Sequence, residues 1–233
     1  MRWVDTEAIC VGRRRLSGAD RLVTLLAPDL GRVMAVARGD CLPRNRQGGA
    51  LEPFGVSRVV LLPTRGGGLF RVDTAERVRH FPNLTSDLTR CQAAGLICAW
   101  ARGLSREGEA SGPYRLLASA LALLDEGEPV LPLVAGFLWR MSGELGVAPD
   151  LSACAGCRLP GPHEMLRIDP GGAVCGACRK PGDLPVPPPC GPALAVLLAG
   201  ADAPLPVLSD QTARPLISLA QAYLRGHFGV GLP

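Results

Sequence analysis

Leu22-Val23-Thr24-Leu25-Leu26, then Pro28-Asp29-Leu30-Gly31, then Val33-Met34-Ala35-Val36-Ala37 is the stretch whose reading decides the fold. Two short apolar runs separated by a Pro/Gly turn predict a β-hairpin. Before it, Ala8-Ile9-Cys10-Val11 leads into Arg13-Arg14-Arg15 and a turn at Ser17-Gly18-Ala19-Asp20. After it, Gly55 to Leu62 and Leu69 to Val78 read as two further strands, joined by Thr64-Arg65-Gly66-Gly67-Gly68. The polar, Gly-rich segment from Arg38 to Ala50 reads as a mobile loop. Five short strands with a long excursion after the third suit a small barrel such as the OB-fold, and other small barrels fit the pattern nearly as well.

From about Leu84 the hydrophobic period becomes helical. Leu84, Leu88, Cys91, Gly95 and Cys98 are expected on one helix face, and Leu117, Leu121 and Leu124 on a second helix. Val134, Leu138, Met141 and Leu145 line a third, opened by Pro132 and ended by Gly146 and Pro149. A proline-rich stretch, Pro181 to Pro192, reads as a stiff spacer, followed by two short helices near Ala193–Gly200 and Pro215–Phe228. The fold class is therefore α+β and multidomain, with a barrel domain over residues 1–80 and a helical domain over residues 81–233.

Inside the second domain lie two CxxC pairs, Cys154-Ala-Gly-Cys157 and Cys175-Gly-Ala-Cys178, with seventeen residues between them. Each turn brings two thiolates to one point, and two turns at this separation close a sulfur tetrahedron around Zn²⁺. Gly156 and Gly176 are expected to permit the tight backbone, and Gly171-Gly172 to form a hairpin tip within a zinc module at residues 152–180. Four thiolates leave no open position, so such a site is structural. His163, between the pairs, reads as a surface residue; Cys91 and Cys98 read as buried core, Cys10 as barrel interior, and Cys41 as a loop-exposed thiol.

Net charge is +4, but residues 1–80 hold fourteen Arg against eight acidic groups, so the basic character belongs to the N-terminal third. Apolar runs fall far short of the ~18 residues of a membrane helix. The segment Met1 to Glu7 has no apolar signal core. An odd count of nine cysteines, four at metal spacing, fits a reducing cytoplasm better than a disulfide framework. GxxxxGK[ST], HExxH and GxSxG motifs are absent, and the three histidines are far apart in sequence, so no enzyme is expected.

Three segments resemble a known family, the bacterial DNA repair and recombination mediator RecO. Asp20 to Leu26 followed by Gly31 to Gly39 is similar to its second and third OB strands. Ala50-Leu51-Glu52-Pro53-Phe54 is similar to the approach to the fourth strand, and Glu144 to Leu151, running into Cys154 and Cys157, to its helix-to-knuckle junction. The resemblance implies an OB-fold, a helical domain with an embedded four-cysteine Zn²⁺ module, and a cytoplasmic, nucleoid-associated protein of bacterial type. It also implies binding to single- and double-stranded DNA, to single-stranded-DNA-binding protein and to RecR, with strand annealing and recombinase loading as the work done. On an OB barrel, Arg13, Arg14 and Arg15 beside the first loop, Arg38, Arg44 and Arg46 on the loop after strand three, and Arg65 between strands four and five are positioned to converge on phosphate. Strand alternation points Arg14 away from its neighbours. Trp3, Phe54 and Phe70 are the aromatic residues available there, the last two expected in the core. The resemblance further implies a helical slot for the acidic, phenylalanine-ended tail of single-stranded-DNA-binding protein, for which Arg102, Arg106, Arg115 and Arg140 are the basic candidates. The competing class is a zinc-ribbon and OB-fold adaptor for RNA or protein.

Overall fold

The computed structural model describes residues 3–42, 49–108, 111–200, 205–229 and 231–232. It resolves into two compact units that divide between Glu128 and Pro129. Among the described residues no helix is long and apolar enough to cross a membrane.

The first unit begins with β1 (Val4–Arg15), β2 (Arg21–Ala27), β3 (Gly31–Ala37), β4 (Val56–Pro63) and β5 (Phe70–Arg79). They close into a barrel in the order β1-β2-β3-β5-β4, which is the OB-like architecture expected. Closure needs one strand to serve two neighbours: Val4–Ile9 of β1 pair with β4, and Ile9–Arg15 pair with β2, across a register shift between Cys10 and Gly12. The parallel contact of β3 with β5 completes the ring. Alternation sends Ala8, Cys10, Val23, Leu25, Val33, Ala35, Val59, Leu61 and Val72 inward. The alanines suit a five-strand interior, which is too narrow for large side chains throughout.

Three helices complete this unit: α1 (Pro82–Ser86), α2 (Leu88–Leu104) and α3 (Gly112–Glu126). The expected continuous face from Leu84 through Cys98 is broken. Asp87 is extended, its carboxylate caps α2 by accepting from the Arg90 N–H at 3.0 Å, and Leu88 is 74% exposed. The buried stripe of α2 is instead Ala94, Ile97, Ala101 and Leu104. Beyond α2 the chain is extended and staples itself to the β2–β3 turn, with Arg32 N donating to Arg106 O (2.9 Å) and Gly108 N to Leu30 O (2.8 Å). At the end of α3, Gly127 is left-handed, and the Arg90 guanidinium donates to the carbonyls of Leu124 (2.7 Å), Gly127 (3.2 Å) and Glu128 (3.2 Å).

The second unit holds α4 (Val130–Glu144), a three-stranded sheet of β6 (Met165–Arg167), β7 (Gly172–Val174) and β8 (Leu184–Pro185), then α5 (Cys190–Leu197) and α6 (Asp210–Phe228). α4 packs on α6 through Trp139, whose indole N–H donates to Leu216 O at 3.1 Å and whose ring lies 5.6 Å from that of Tyr223. Pro215 lies inside α6, which starts five residues earlier than the proline suggested. The proline-rich stretch is not a free spacer, because Leu184 pairs with Leu166, Val186 N donates to Glu164 O at 2.8 Å, and Val186 is buried.

Arg90 satisfies three carbonyls at the end of a helix to which it does not belong. Arg90→Ala is expected to lower stability by about 2 kcal/mol, since hydrogen bonds from a charged donor are the stronger class. Denaturant unfolding of the variant against the parent protein measures this.

Candidate metal centre and basic cleft

The four cysteines of the CxxC pairs are brought together by the β6–β7 hairpin. Arg167 pairs with Gly172 across its tip, so the two turns, one before β6 and one after β7, meet at its base. Their sulfurs all lie within 4.8 Å of one another, and those of Cys157 and Cys175 are 3.7 Å apart. A cation held by four sulfurs at about 2.3 Å needs sulfurs about 3.8 Å apart, so the donor set fits a tetrahedral metal such as zinc. The backbone is shaped for it: a Cβ on Gly156 would sit 2.9 Å from the Cys178 sulfur, so the first turn requires glycine. Gly176 carries no such requirement, because a Cβ there meets nothing within 4 Å.

Electrostatics favour thiolate. Backbone N–H groups of Cys175, Cys157 and Gly156 hold the Cys154 thiol down at about 5; those of Cys175 and Gly156 each lie 3.4 Å from its sulfur. Hydrogen bonding with the thiols of Cys157 and Cys175 pushes Cys178 up to about 12. Four thiols competing for negative charge at one point is the situation that a bound cation relieves. His163 is half-buried and bonds Leu159 O at 2.9 Å, outside the four-sulfur group. Cys10 and Cys98 are buried, and burial pushes both thiols up. Cys41 is half-buried.

The frame around the sulfurs contains an ion pair that sequence reading missed. Arg167 on β6 donates to Asp183 through Nε (2.9 Å) and Nη2 (2.8 Å), and through Nη2 to Cys178 O (2.8 Å). Asp183 is only 4% exposed in its side chain and also accepts from Lys180 N at 2.7 Å. The module therefore extends past residue 180 to β8. Only β6–β8 pairing reveals this, and a two-residue strand has no sequence period to detect.

Most of the candidate arginines of the barrel gather at one end. Arg15 pairs with Arg21 and Arg21 with Ala37, so the β1–β2 turn and the segment after β3 are neighbours, whereas β5 starts level with Ala35 and runs parallel to β3, which sets the β4–β5 turn toward the opposite end. Cys41 N to Ala19 O (2.9 Å) and Gly39 N to Asp20 Oδ1 (2.9 Å) tie the first two together. Arg13, Arg14, Arg15, Arg21 and Cys41 line a cleft of about 410 Å³. Arg14 thus shares the cleft with its neighbours, contrary to the alternation expected, because at a strand end long side chains reach a common space. Arg21 was missed, although its place opposite Arg15 follows once the turn is fixed. Glu52 pairs with Arg13 and lies 3.6 Å from Arg21, which also meets Asp40 at 3.2 Å. Arg38 is exposed just after β3, beside the cleft, and Arg65 is exposed on the β4–β5 turn toward the other end of the barrel. Arg44 and Arg46 lie outside the described residues.

The four helical candidates do not form one group. Arg102 is on α2, with its side chain against Gly12 of β1 and its carbonyl accepting from Arg32 at 3.0 Å. Arg106 is not helical but lies in the extended staple. Arg115 is exposed on α3, and Arg140 belongs to α4 in the second unit. An apolar cavity of about 580 Å³ in the second unit, walled by Leu151, Pro162, Val186, Pro187 and Leu194, has none of the four in its lining.

Comparison with known proteins agrees with both halves of this geometry. Residues 1–81 match the family model Recombination protein O N terminal, and residues 85–233 match Recombination protein O C terminal. A curated relative, the DNA repair protein RecO of Desulforudis audaxviator (strain MP104C), is 37% identical over 182 residues, covering 77% of this chain and 72% of that protein.

Asp183→Asn removes the anion that fixes Arg167 beside the cysteines. Alkylation of Cys154 and Cys175 is expected to accelerate several-fold, with Cys10 and Cys98 unchanged. Mass spectrometry of the labelled peptides over time distinguishes this from global loosening, which would expose all four.

Proposed function

The chain belongs to the RecO family of DNA repair proteins, and from that premise we propose a non-catalytic recombination mediator that holds DNA by backbone charge. It binds single and double strands, anneals complementary strands, and helps to load recombinase onto strands coated by single-stranded-DNA-binding protein. The observation that carries this reading is the cleft of Arg13, Arg14, Arg15 and Arg21, with Arg38 on the segment beside it. Guanidinium groups on phosphate read no sequence, so any strand is accepted. Arg44 and Arg46 are offered as further phosphate contacts. The work needs binding energy rather than bond chemistry, and takes place at the nucleoid in a bacterial cytoplasm.

Labour divides near residue 80. The barrel, residues 1–80, handles DNA; residues 81–233 serve partners, with Arg102, Arg106, Arg115 and Arg140 offering charge to the tail of single-stranded-DNA-binding protein or to RecR. Cys154, Cys157, Cys175 and Cys178 hold a structural Zn²⁺, which supplies folding free energy on the order of 10 kcal/mol and no reaction. Without it the module has little to hold it, because its apolar cluster consists mainly of Met165, Val174 and the cysteines themselves.

Three outcomes are expected. With complementary oligonucleotides coated by single-stranded-DNA-binding protein, the chain accelerates duplex formation, and added salt abolishes the effect. No acceleration by folded, metal-loaded protein, together with preference for RNA, would replace this reading with an RNA adaptor. Cys157→Ser or Cys175→Ser loses bound zinc, measured by elemental analysis, and aggregates or unfolds in the second unit rather than changing DNA preference. Glu52→Gln frees Arg13 and Arg21 from an internal carboxylate that competes with phosphate, and is expected to tighten DNA binding several-fold in a fluorescence-anisotropy titration.

A further inference from the structure

Trp3 is 59% exposed at the start of the barrel, whereas Trp100 and Trp139 are fully buried. Phe54 and Phe70 are half-buried, so Trp3 is the large aromatic face that the described barrel offers to solvent. Its place follows from strand register. Val4 pairs with Leu61, so one step back sets Trp3 beside Leu62. Leu62 pairs with Arg71, Arg71 with Val36, Val36 with Leu22, and Leu22 with Arg14. Leu61 and Val72, the neighbours of this row, are buried in the barrel, so the row itself lies on the outer face. It runs across the strands from an aromatic ring, over half-buried Leu62, to the Arg71 guanidinium two strand spacings away, roughly 10 Å. It then continues past half-buried Val36 and Leu22, which is only 8% exposed, to Arg14 at the basic cleft. The turn carrying Arg65 begins just past Pro63, beside the same row.

We propose that Trp3 is a base-stacking platform for an unpaired DNA strand that crosses the barrel along this row, with Arg71 and Arg14 meeting its phosphates. The inference rests on the DNA-binding reading above and adds a preference to it. Backbone charge alone treats single and double strands alike, whereas a ring face takes a base only when that base is not already stacked in a duplex. Trp3 therefore biases the protein toward the unpaired state of its substrate and is left behind as annealing proceeds. Asp73, 3.7 Å from Arg71, is the carboxylate that phosphate displaces there.

The buried state of the other two tryptophans makes the test direct. Intrinsic tryptophan emission of the full chain is followed during titration with a deoxythymidine oligonucleotide, while the anisotropy of a labelled copy of the same strand reports binding. The expected result is quenching that saturates with the anisotropy, and no quenching by a duplex that binds equally well. Trp3→Ala weakens single-strand binding roughly five- to hundred-fold, Trp3→Phe restores most of it, and duplex binding changes by less than about twofold. Binding by anisotropy without quenching, or equal loss of single- and double-strand affinity in Trp3→Ala, overturns the stacking inference and leaves the DNA-binding reading standing. Absence of any anisotropy change at low salt overturns both. Because Trp3 is exposed, an unchanged unfolding curve for each variant excludes misfolding as the cause.

Discussion

Closure of the barrel is the constraint on which the first unit depends. β1 spends its first half on β4 and its second half on β2, with the register shift between Cys10 and Gly12 letting one strand bend between two partners. Once the ring is shut, the β1–β2 and β2–β3 pairings set Arg13 to Arg15, Arg21 and the segment after β3 at one end, and the parallel β3–β5 contact sends the turn carrying Arg65 toward the other. The cleft is thus a consequence of topology, and its charge is moderated by Glu52 and Asp40, which occupy guanidinium groups from within. On the proposed reading, a strand taken up and later released gains from such moderation, since an uncompensated cluster would hold phosphate too firmly.

The second unit solves a different problem. Its helices bury Trp139, Phe137, Leu138, Leu216 and Tyr223 completely or nearly so. The segment from Asp150 to Val186 contributes only short strands and a handful of apolar side chains, and a piece of that size cannot offset its own chain entropy by burial alone. The four cysteines could hold one ion, which would cross-link the segment, and the N–H groups aimed at the Cys154 sulfur favour its anionic form. The Arg167–Asp183 pair braces the module from within, and the close approach of Gly171 to Tyr223 and of Gly226 to Ile168 seats it on α6.

Much of this was legible in the residues. The five strands stand out as short apolar or alternating runs set off by Gly, Pro and Asp turns, and the CxxC pairs because metal geometry tolerates few spacings. Helices α3 and α4 follow from Leu117, Leu121 and Leu124 and from Val134, Leu138 and Met141, all buried as their period demands. The stripe proposed for Leu84 to Cys98 failed for a local reason: Asp87 caps a new helix, so a period counted across it joins two different axes. Arg106 was read as helical because nothing in its own segment announces that it pairs with the distant β2–β3 turn. Arg21 and Asp183 were missed for the same reason, since each owes its place to strand register, and register is a relation between segments.

The central claim is that this barrel holds DNA through guanidinium groups on phosphate, and the salt dependence of single-strand affinity tests it most directly. With each phosphate contact contributing about −0.7 to the slope of log K against log salt, a strand engaging four to six arginines gives a slope of roughly −3 to −4. That result is the one predicted for the folded full chain. A slope between zero and about −1 would mean that the arginines of the cleft do not neutralise phosphate, and the account of the barrel as an electrostatic DNA-binding surface would be contradicted.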